Sequence, residues 1–161
     1  MSQQRGMGGH HHPNRGDSLN WCTPPEILKA LGPFDDDPCP VGGRDGLIRP
    51  WWGFVWLNPP YDRDIGKWLE RMSEHRNGIA LIFARTETAN FHRYIFPFAD
   101  AILFLRGRLH FHNPDGRRAK HNAGAPSCLV GYGPVAMRRL QDCKIVGFYV
   151  NLHYAGSTGL V

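Results

Sequence analysis

The residues best suited to chemistry are Asn58-Pro59-Pro60-Tyr61, which follow the apolar run from Gly53 to Leu57. Asn58 can accept hydrogen bonds through its side-chain oxygen, and the two prolines offer carbonyl oxygens but no N–H groups. Tyr61 places a flat ring beside these acceptors. This ledge is suited to the exocyclic amino group of a planar base, with two acceptors for the NH2 and a ring for stacking. A tight turn after a strand is the alternative interpretation, because Asn-Pro and Pro-Pro are common in loops.

Alternating strands and helices must hold this ledge in place. Trp51 to Leu57 is the clearest buried strand, and Thr23 is the predicted N-cap of a helix that ends at Leu31. Apolar periodicity predicts further strands at 79–83, 101–105, 127–132 and 145–152, a marginal strand at 34–37, and helices at 64–76, 90–96 and 135–140. This order predicts an α/β fold with a mainly parallel, doubly wound sheet and an antiparallel edge. In such sheets ligands lie at the carboxyl ends of the strands.

Length and composition predict one globular domain. The chain has 161 residues, of which we expect 1–18 to be a disordered polar leader and 19–161 to form the domain. A formal charge of +5 favours a polyanionic partner. There is no apolar run long enough for a membrane span and no signal-peptide core, which predicts a cytoplasmic protein. The four cysteines lack a CxxC pair, so we expect free thiols and no bound metal.

A series of motifs gives the chain a resemblance to a known family. Besides the ledge, the motifs are Trp21-x-Thr-Pro-Pro25, Phe34-Asp-x-Asp-Pro-Cys39, Asp45-Gly-Leu47, Trp52-Gly-x-Val-Trp-Leu57, Ala84-Arg-Thr-Glu-Thr88 and Gly107-Arg-Leu-x-Phe111. In this order the series resembles the phage-type DNA N6-adenine methyltransferases. The resemblance implies a compact Rossmann-like methyltransferase fold, S-adenosylmethionine (SAM) as cofactor, and methyl transfer to N6 of an adenine flipped out of double-stranded DNA.

The resemblance also gives the ledge a catalytic role. The amino nitrogen of adenine is a poor nucleophile, because its lone pair is delocalised into the ring. If Asn58 and the carbonyl of Pro59 accept its two hydrogens, the lone pair is aimed at the cofactor methyl, and no metal is needed. Pro60 keeps the ledge rigid, and Tyr61 stacks on the adenine.

The cofactor-binding residues are assigned by the same resemblance. The turn that contains Asp37 resembles the first SAM-binding motif, although three consecutive aspartates also suit a solvated turn or a capping cluster. The Thr-Pro element resembles one that packs against the methionine end of the cofactor. The assigned residues are Trp21, Thr23, Pro24, Asp35, Asp37, Pro38, Cys39, Asp45 and Asn58.

One part of the chain departs from the family pattern. The segment between Asp37 and Asn58 is short, whereas a full Rossmann half places two more strands and a helix between these motifs. The acidic residue that usually ends the second strand is not identifiable. Either Asp45 substitutes for it, or the cofactor pocket is open or truncated.

A basic segment with an aromatic residue supplies the candidate DNA contacts. Such a combination suits a DNA backbone and an unstacked base, whereas a solvated, flexible loop is the alternative. The segment is too short for a separate recognition domain, which predicts a short or relaxed target site. The candidates in this segment are Arg106, Arg108, Phe111, Arg117, Arg118 and Lys120. Arg85 and Thr86, which follow the predicted strand at 79–83, are candidates to border the active site or to hold phosphate, and a surface salt bridge is the alternative for Arg85.

Two other functions are compatible with the sequence. The ledge chemistry also permits methylation of cytosine N4, of RNA or of a protein amide, since each presents a planar conjugated nitrogen. A catalytically inactive relative that only binds nucleic acid is the second alternative. SAM binding separates this alternative from the enzymes.

Overall fold

The computed structural model describes residues 22–40, 43 and 45–153, so the predicted leader and the cofactor candidate Trp21 lie outside the described residues. Short helices and strands alternate along most of the described chain. The elements are α1 (Pro25–Leu31), β1 (Val55–Leu57), α2 (Ile65–His75), β2 (Gly78–Phe83), β3 (Ala101–Leu105), β4 (Ser127–Tyr132), α3 (Pro134–Asp142) and β5 (Gly147–Asn151), with a 3-10 helix at Asp45–Leu47 and a π-helical turn at Phe91–Ile95.

The five strands form one mixed sheet in the order β1-β2-β4-β3-β5. β1 and β2 are parallel, whereas β4 is antiparallel to both of its neighbours and β5 is antiparallel to β3. The α/β class is therefore confirmed, but a mainly parallel sheet is not. The reason is that β4 returns between β2 and β3, which run in the same direction, and separates them.

The sheet is covered on both faces, which explains the apolar runs of its central strands. In β2, Ala80 and Ile82 pack with α2 and the π-helical turn, whereas Ile79 and Leu81 pack with α1 and α3. These strand residues are at most 2% exposed. Burial of each large aliphatic side chain contributes about 1.5–3 kcal/mol. The two packed faces hold the strand ends, where the predicted site lies, in a fixed frame.

The start of α1 differs from the prediction. Its N-cap is Pro24, and no side chain within the described residues caps it. Pro25 occupies the first turn, where a missing N–H costs no helical hydrogen bond. The hydroxyl of Thr23, predicted to cap this helix, is therefore available for another contact.

Among residues 22–40, 43 and 45–153, no helix has the length and apolar character needed to cross a membrane. The same residues hold no cluster of three or more His, Cys, Asp or Glu side chains able to bind a metal ion. Cys22, Cys39, Cys128 and Cys143 are free thiols.

Candidate functional site

The carboxyl ends of β1, β2 and β3 lie at one edge of the sheet, because these strands run in the same direction. Asn58 follows β1, Ala84 follows β2 and Arg106 follows β3. The acidic run lies beside β1, since Asp36 forms a parallel bridge to Val55, the first residue of that strand. The sheet thus places Asn58, Ala84 and Arg106 at the same edge, and the chain after Asp36 runs alongside β1 in the direction of that edge.

Asn58 is in direct contact with the Thr-Pro element. The Nδ2 of Asn58 donates a hydrogen bond to Oγ1 of Thr23 at 3.2 Å. Asn58 is half-buried, and both Pro59 and Pro60 are buried. The first residue of the catalytic ledge, which the resemblance also assigns to the cofactor, therefore shares a hydrogen bond with the Thr-Pro element.

Tyr61 is fixed by aromatic packing and by its hydroxyl. Its ring stacks on Phe83 with a centroid distance of 3.9 Å and an interplanar angle of 11°, and its edge approaches Phe111 at 6.3 Å. The hydroxyl donates to the carbonyl oxygen of Leu81 at 3.2 Å. Burial raises the pKa of Tyr61 well above its ordinary value, so the phenol stays protonated. Because one face of the ring is covered by Phe83, a base can stack only on the opposite face.

A cavity of about 240 Å3 opens beside this ring. Apolar side chains of α2, β2 and the π-helical turn form most of its wall, and polar groups lie near Arg85. The lining residues are Tyr61, Asp62, Ile65, Leu69, Ile82, Phe83, Arg85, Thr88, Asn90 and Phe91. The volume is below the roughly 300–1,000 Å3 of pockets for drug-sized ligands, which suits a single ring system.

The acidic run mainly organises the protein itself. Asp35, a predicted cofactor residue, accepts the backbone N–H of Phe54 at 2.6 Å. Asp36, which had no predicted role, forms two hydrogen bonds with Arg49 at 2.7 and 2.8 Å. The bonded Arg49 guanidinium holds the pKa of the Asp36 carboxyl below its ordinary value. The interpretation as a structural turn therefore applies to Asp35 and Asp36.

Asp37, like Asp35, is exposed, whereas Asp36 between them is buried. Its Oδ1 accepts the backbone N–H of Cys39 at 3.0 Å. Desolvation raises the pKa of the Asp37 carboxyl, and the nearby charge of Asp36 acts in the same direction. Pro38 is buried, and Cys39 packs partly buried against the core. Of the two exposed carboxylates, Asp35 accepts from the backbone of Phe54 in the strand region, whereas the contact of Asp37 lies within its own turn.

The turn at Asp45–Leu47 packs directly on this segment. A Cβ placed on Gly46 would overlap the carbonyl oxygen of Pro38. The exposed carboxylate of Asp45 lies 3.4 Å from Nε of Arg49, which links the turn to Asp36. Two motifs predicted to contribute to one cofactor site are therefore neighbours in space.

We expect Gly46→Ala to lower the free energy of unfolding by about 1–3 kcal/mol, because the backbone of Pro38 yields less readily than a side chain. Gly124→Ala is the matched control, since a Cβ there meets no described atom within 4 Å. Urea unfolding of the two variants measures the difference. Equal stability would contradict the close packing of the turn on Pro38.

The cationic side chains of the basic segment are exposed, whereas its aromatic residue is buried. Exposed side chains belong to Arg106, Arg108, Arg117, Arg118 and Lys120, and to the separate pair Arg85 and Thr86 after β2. Phe111 is only 4% exposed and packs in the core near Tyr61, so its ring is not at the surface. The backbone of the segment pairs with the Thr-Pro element, since His112 exchanges hydrogen bonds with Cys22 at 2.8 and 3.0 Å. His112 also forms an isolated bridge with Arg118, so the backbone of this cation and that of Cys22, the residue before Thr23, both pair with His112.

Besides Asp36, three side chains that support the site were not singled out in the sequence. Arg49 binds the acidic run, and Arg71 donates to the carbonyl oxygens of Leu47 and Arg49 at 2.7 Å each. Phe83 supplies the ring under Tyr61. The one available signal was the position of Phe83 as the last residue of a predicted strand, since residues at strand ends border the site. Arg49 and Arg71 carried no such signal, because their partners are backbone or distant in sequence.

Comparison of the chain with profiles of protein families, with curated proteins and with solved structures finds no match.

Proposed function

We propose that this chain is a SAM-dependent DNA methyltransferase that modifies N6 of an adenine flipped out of the duplex, on a Rossmann-like sheet shortened on its cofactor side. The observation that supports this most is the 3.2 Å hydrogen bond between Thr23 and Asn58. It joins two motifs of the family resemblance that lie far apart in sequence. A simple turn after a strand would not require the Thr-Pro element beside it.

The ledge acts on the acceptor amine. Asn58 and the carbonyl of Pro59 accept the two amino hydrogens, which draws the nitrogen out of conjugation with the ring. Pro59 and Pro60 are buried, so the ledge is held rigidly while the acceptor binds. After transfer the nitrogen returns to conjugation by releasing one proton to solvent.

The cavity beside Tyr61 suits the acceptor base. One face of the Tyr61 ring is covered by Phe83 at 3.9 Å, so stacking on a base requires the opposite face. Arg85 is exposed at the cavity and lies 5.8 Å from the centre of the Phe83 ring. Its charge is suited to a phosphate next to the extruded nucleotide.

The residues around Asp37 have side chains of the kinds that SAM requires. Asp37 presents an exposed carboxylate for ribose hydroxyls, and Cys39 and Leu47 are partly buried apolar groups suited to an adenine ring. Bound SAM supplies a methyl group on a sulfonium sulfur. When the methyl group is transferred, the rest of the cofactor leaves as a neutral thioether. Asp45, through Arg49, keeps the turn next to Pro38.

The test is methyl transfer from tritiated SAM to unmethylated duplex DNA, with the nucleosides separated after digestion. We expect the label in N6-methyldeoxyadenosine. Label in cytosine, or in RNA but not DNA, would support another amino-methyltransferase and contradict the proposal. Absence of label in every substrate would overturn the enzyme assignment.

One observation favours an inactive nucleic-acid-binding protein as the second candidate. Asp35 and Asp36 are occupied by Phe54 and Arg49, so two of the three acidic groups are used within the protein. Calorimetry with SAM and with DNA distinguishes the candidates. DNA binding without SAM binding would favour the inactive protein.

We expect the double variant Arg118→Ala/Lys120→Ala to weaken DNA binding and to reduce its dependence on salt. Loss of two phosphate contacts lowers the slope of log K against log salt by about 1.8. The matched control is Arg138→Ala/Lys144→Ala, which removes an exposed Arg and an exposed Lys from α3 and from the segment before β5. Fluorescence anisotropy at several salt concentrations measures both. Equal slopes for the two variants would exclude the basic segment from the DNA interface.

A further inference from the structure

The hydroxyl of Thr23 reaches across the fold instead of capping the helix that follows it. Thr23 stands just before Pro24, the N-cap of α1, and within the described residues that helix has no side-chain cap. The Oγ1 of Thr23 instead accepts Nδ2–H of Asn58, a residue 35 positions away. The side chain that was predicted to cap α1 therefore makes a long-range contact instead.

We infer that Thr23 is a positioning residue that orients the side-chain amide of Asn58. This inference rests on the proposed function. The two ends of an amide differ chemically, because the oxygen accepts hydrogen bonds and the nitrogen donates them. Only the oxygen can accept the amino hydrogens of an adenine. With Nδ2 bonded to Thr23, Oδ1 is the end of the amide that does not face Thr23, and it is the end that can accept from an amine.

Thr23 is held firmly enough for this role. It is 8% exposed, and its neighbour Cys22 exchanges two backbone hydrogen bonds with His112. On its other side, Pro24 and Pro25 restrict the backbone. The hydroxyl therefore has a defined position relative to β1, and an amide bonded to it is ordered before the acceptor arrives.

A positioning role and a cofactor contact predict different kinetics. If Thr23 acts through Asn58, its hydroxyl affects the transfer step and not the affinity for SAM. If Thr23 instead touches the methionine end of the cofactor, as the family resemblance implies, loss of the hydroxyl weakens SAM binding. The separation of kcat from KM for SAM distinguishes the two roles.

The test compares Thr23→Val, which keeps the side-chain shape, with Thr23→Ser, which keeps the hydroxyl. We expect Thr23→Val to lower kcat about tenfold, which corresponds to about 1.4 kcal/mol, with KM for SAM unchanged. Thr23→Ser should restore most of kcat. A raised KM for SAM with kcat intact in Thr23→Val would overturn the inference.

A second readout is independent of catalysis. In 15N-labelled protein, the side-chain NH2 resonances of Asn58 are assigned by their loss in Asn58→Asp. We expect Thr23→Val to shift them and to speed their exchange with water, and Thr23→Ser to leave them close to the wild type. Unchanged resonances in Thr23→Val would overturn the inference. If the wild type transfers no methyl group, the proposed function fails, and these resonances alone decide whether Thr23 orients Asn58.

Discussion

Asn58→Ala is expected to lower kcat for methyl transfer by about 10³-fold, because one of the two acceptors that hold the acceptor amine is removed. The hydrogen bond from Nδ2 to Thr23 is lost as well, but Asn58 is half-buried and the flanking prolines remain. Affinity for SAM should change by less than about threefold, or about 0.65 kcal/mol, because the residue acts on the amine. Single-turnover kinetics with duplex DNA and calorimetry with SAM provide the two measurements.

Asn77→Ala is a matched control for this experiment. Asn77 is also half-buried and also donates through Nδ2, to the carbonyl oxygen of Gly53 at 2.8 Å. It immediately precedes β2 and therefore lies at the opposite edge of the sheet from the ledge. We expect a similar loss of stability and an intact kcat. Equal loss of transfer in both variants would contradict a specific role for Asn58.

The sequence predicted the elements better than their arrangement. Apolar periodicity located β2, β3 and β4, because buried strands and their breakers leave a local signal. The direction of β4 left no such signal, since an apolar strand in the middle of a sheet reads the same in either direction. Strand pairing depends on contacts between distant segments, which explains why a mainly parallel sheet was expected and a mixed one is found.

The same limit applies to the candidate site. The ledge and its Tyr61 could be located because Asn, Pro and an aromatic after an apolar run have a distinctive chemistry. The partners of these residues could not be located. The capping preference of Thr23 concealed its contact with Asn58, and three adjacent aspartates gave no sign that Asp36 would take Arg49 while Asp37 would be exposed. Phe111 was predicted to contact DNA but is buried, for a related reason. Basic neighbours in the sequence do not reveal which side chain faces inward.

Asp36→Asn is expected to destabilise the fold, because it removes the charge from a buried, paired carboxylate. The carboxylate side chain is 6% exposed, and both of its oxygens bond to Arg49. Hydrogen bonds to charged groups contribute about 1.5–3 kcal/mol, so we expect a loss of about 2 kcal/mol. For a chain of this size that corresponds to a decrease in Tm of about 4–8 °C. Thermal and urea unfolding at neutral pH measure both quantities.

Asp45→Asn is the matched control for Asp36→Asn. Both side chains face Arg49, but the Asp45 side chain is 62% exposed and its contact is longer, at 3.4 Å. An exposed pair of this kind contributes little, and we expect a loss below about 0.5 kcal/mol. Similar losses in the two variants would contradict a special role for the buried carboxylate.

The pH dependence provides a further check on the Asp36–Arg49 pair. Because Arg49 lowers the pKa of Asp36 in the folded protein, the pair contributes fully above the pKa of about 3.9 of an unfolded aspartate. That contribution is lost as pH falls through the lower pKa of the folded state. Asp36→Asn should therefore differ most from the wild type at neutral pH and least at the acid end of the range. A stability difference that stays constant as pH falls would mean that the charge of Asp36 does not stabilise the fold.

Because Arg49 also joins the Asp45 turn to the acidic run, calorimetry of Asp36→Asn should further show weakened SAM binding.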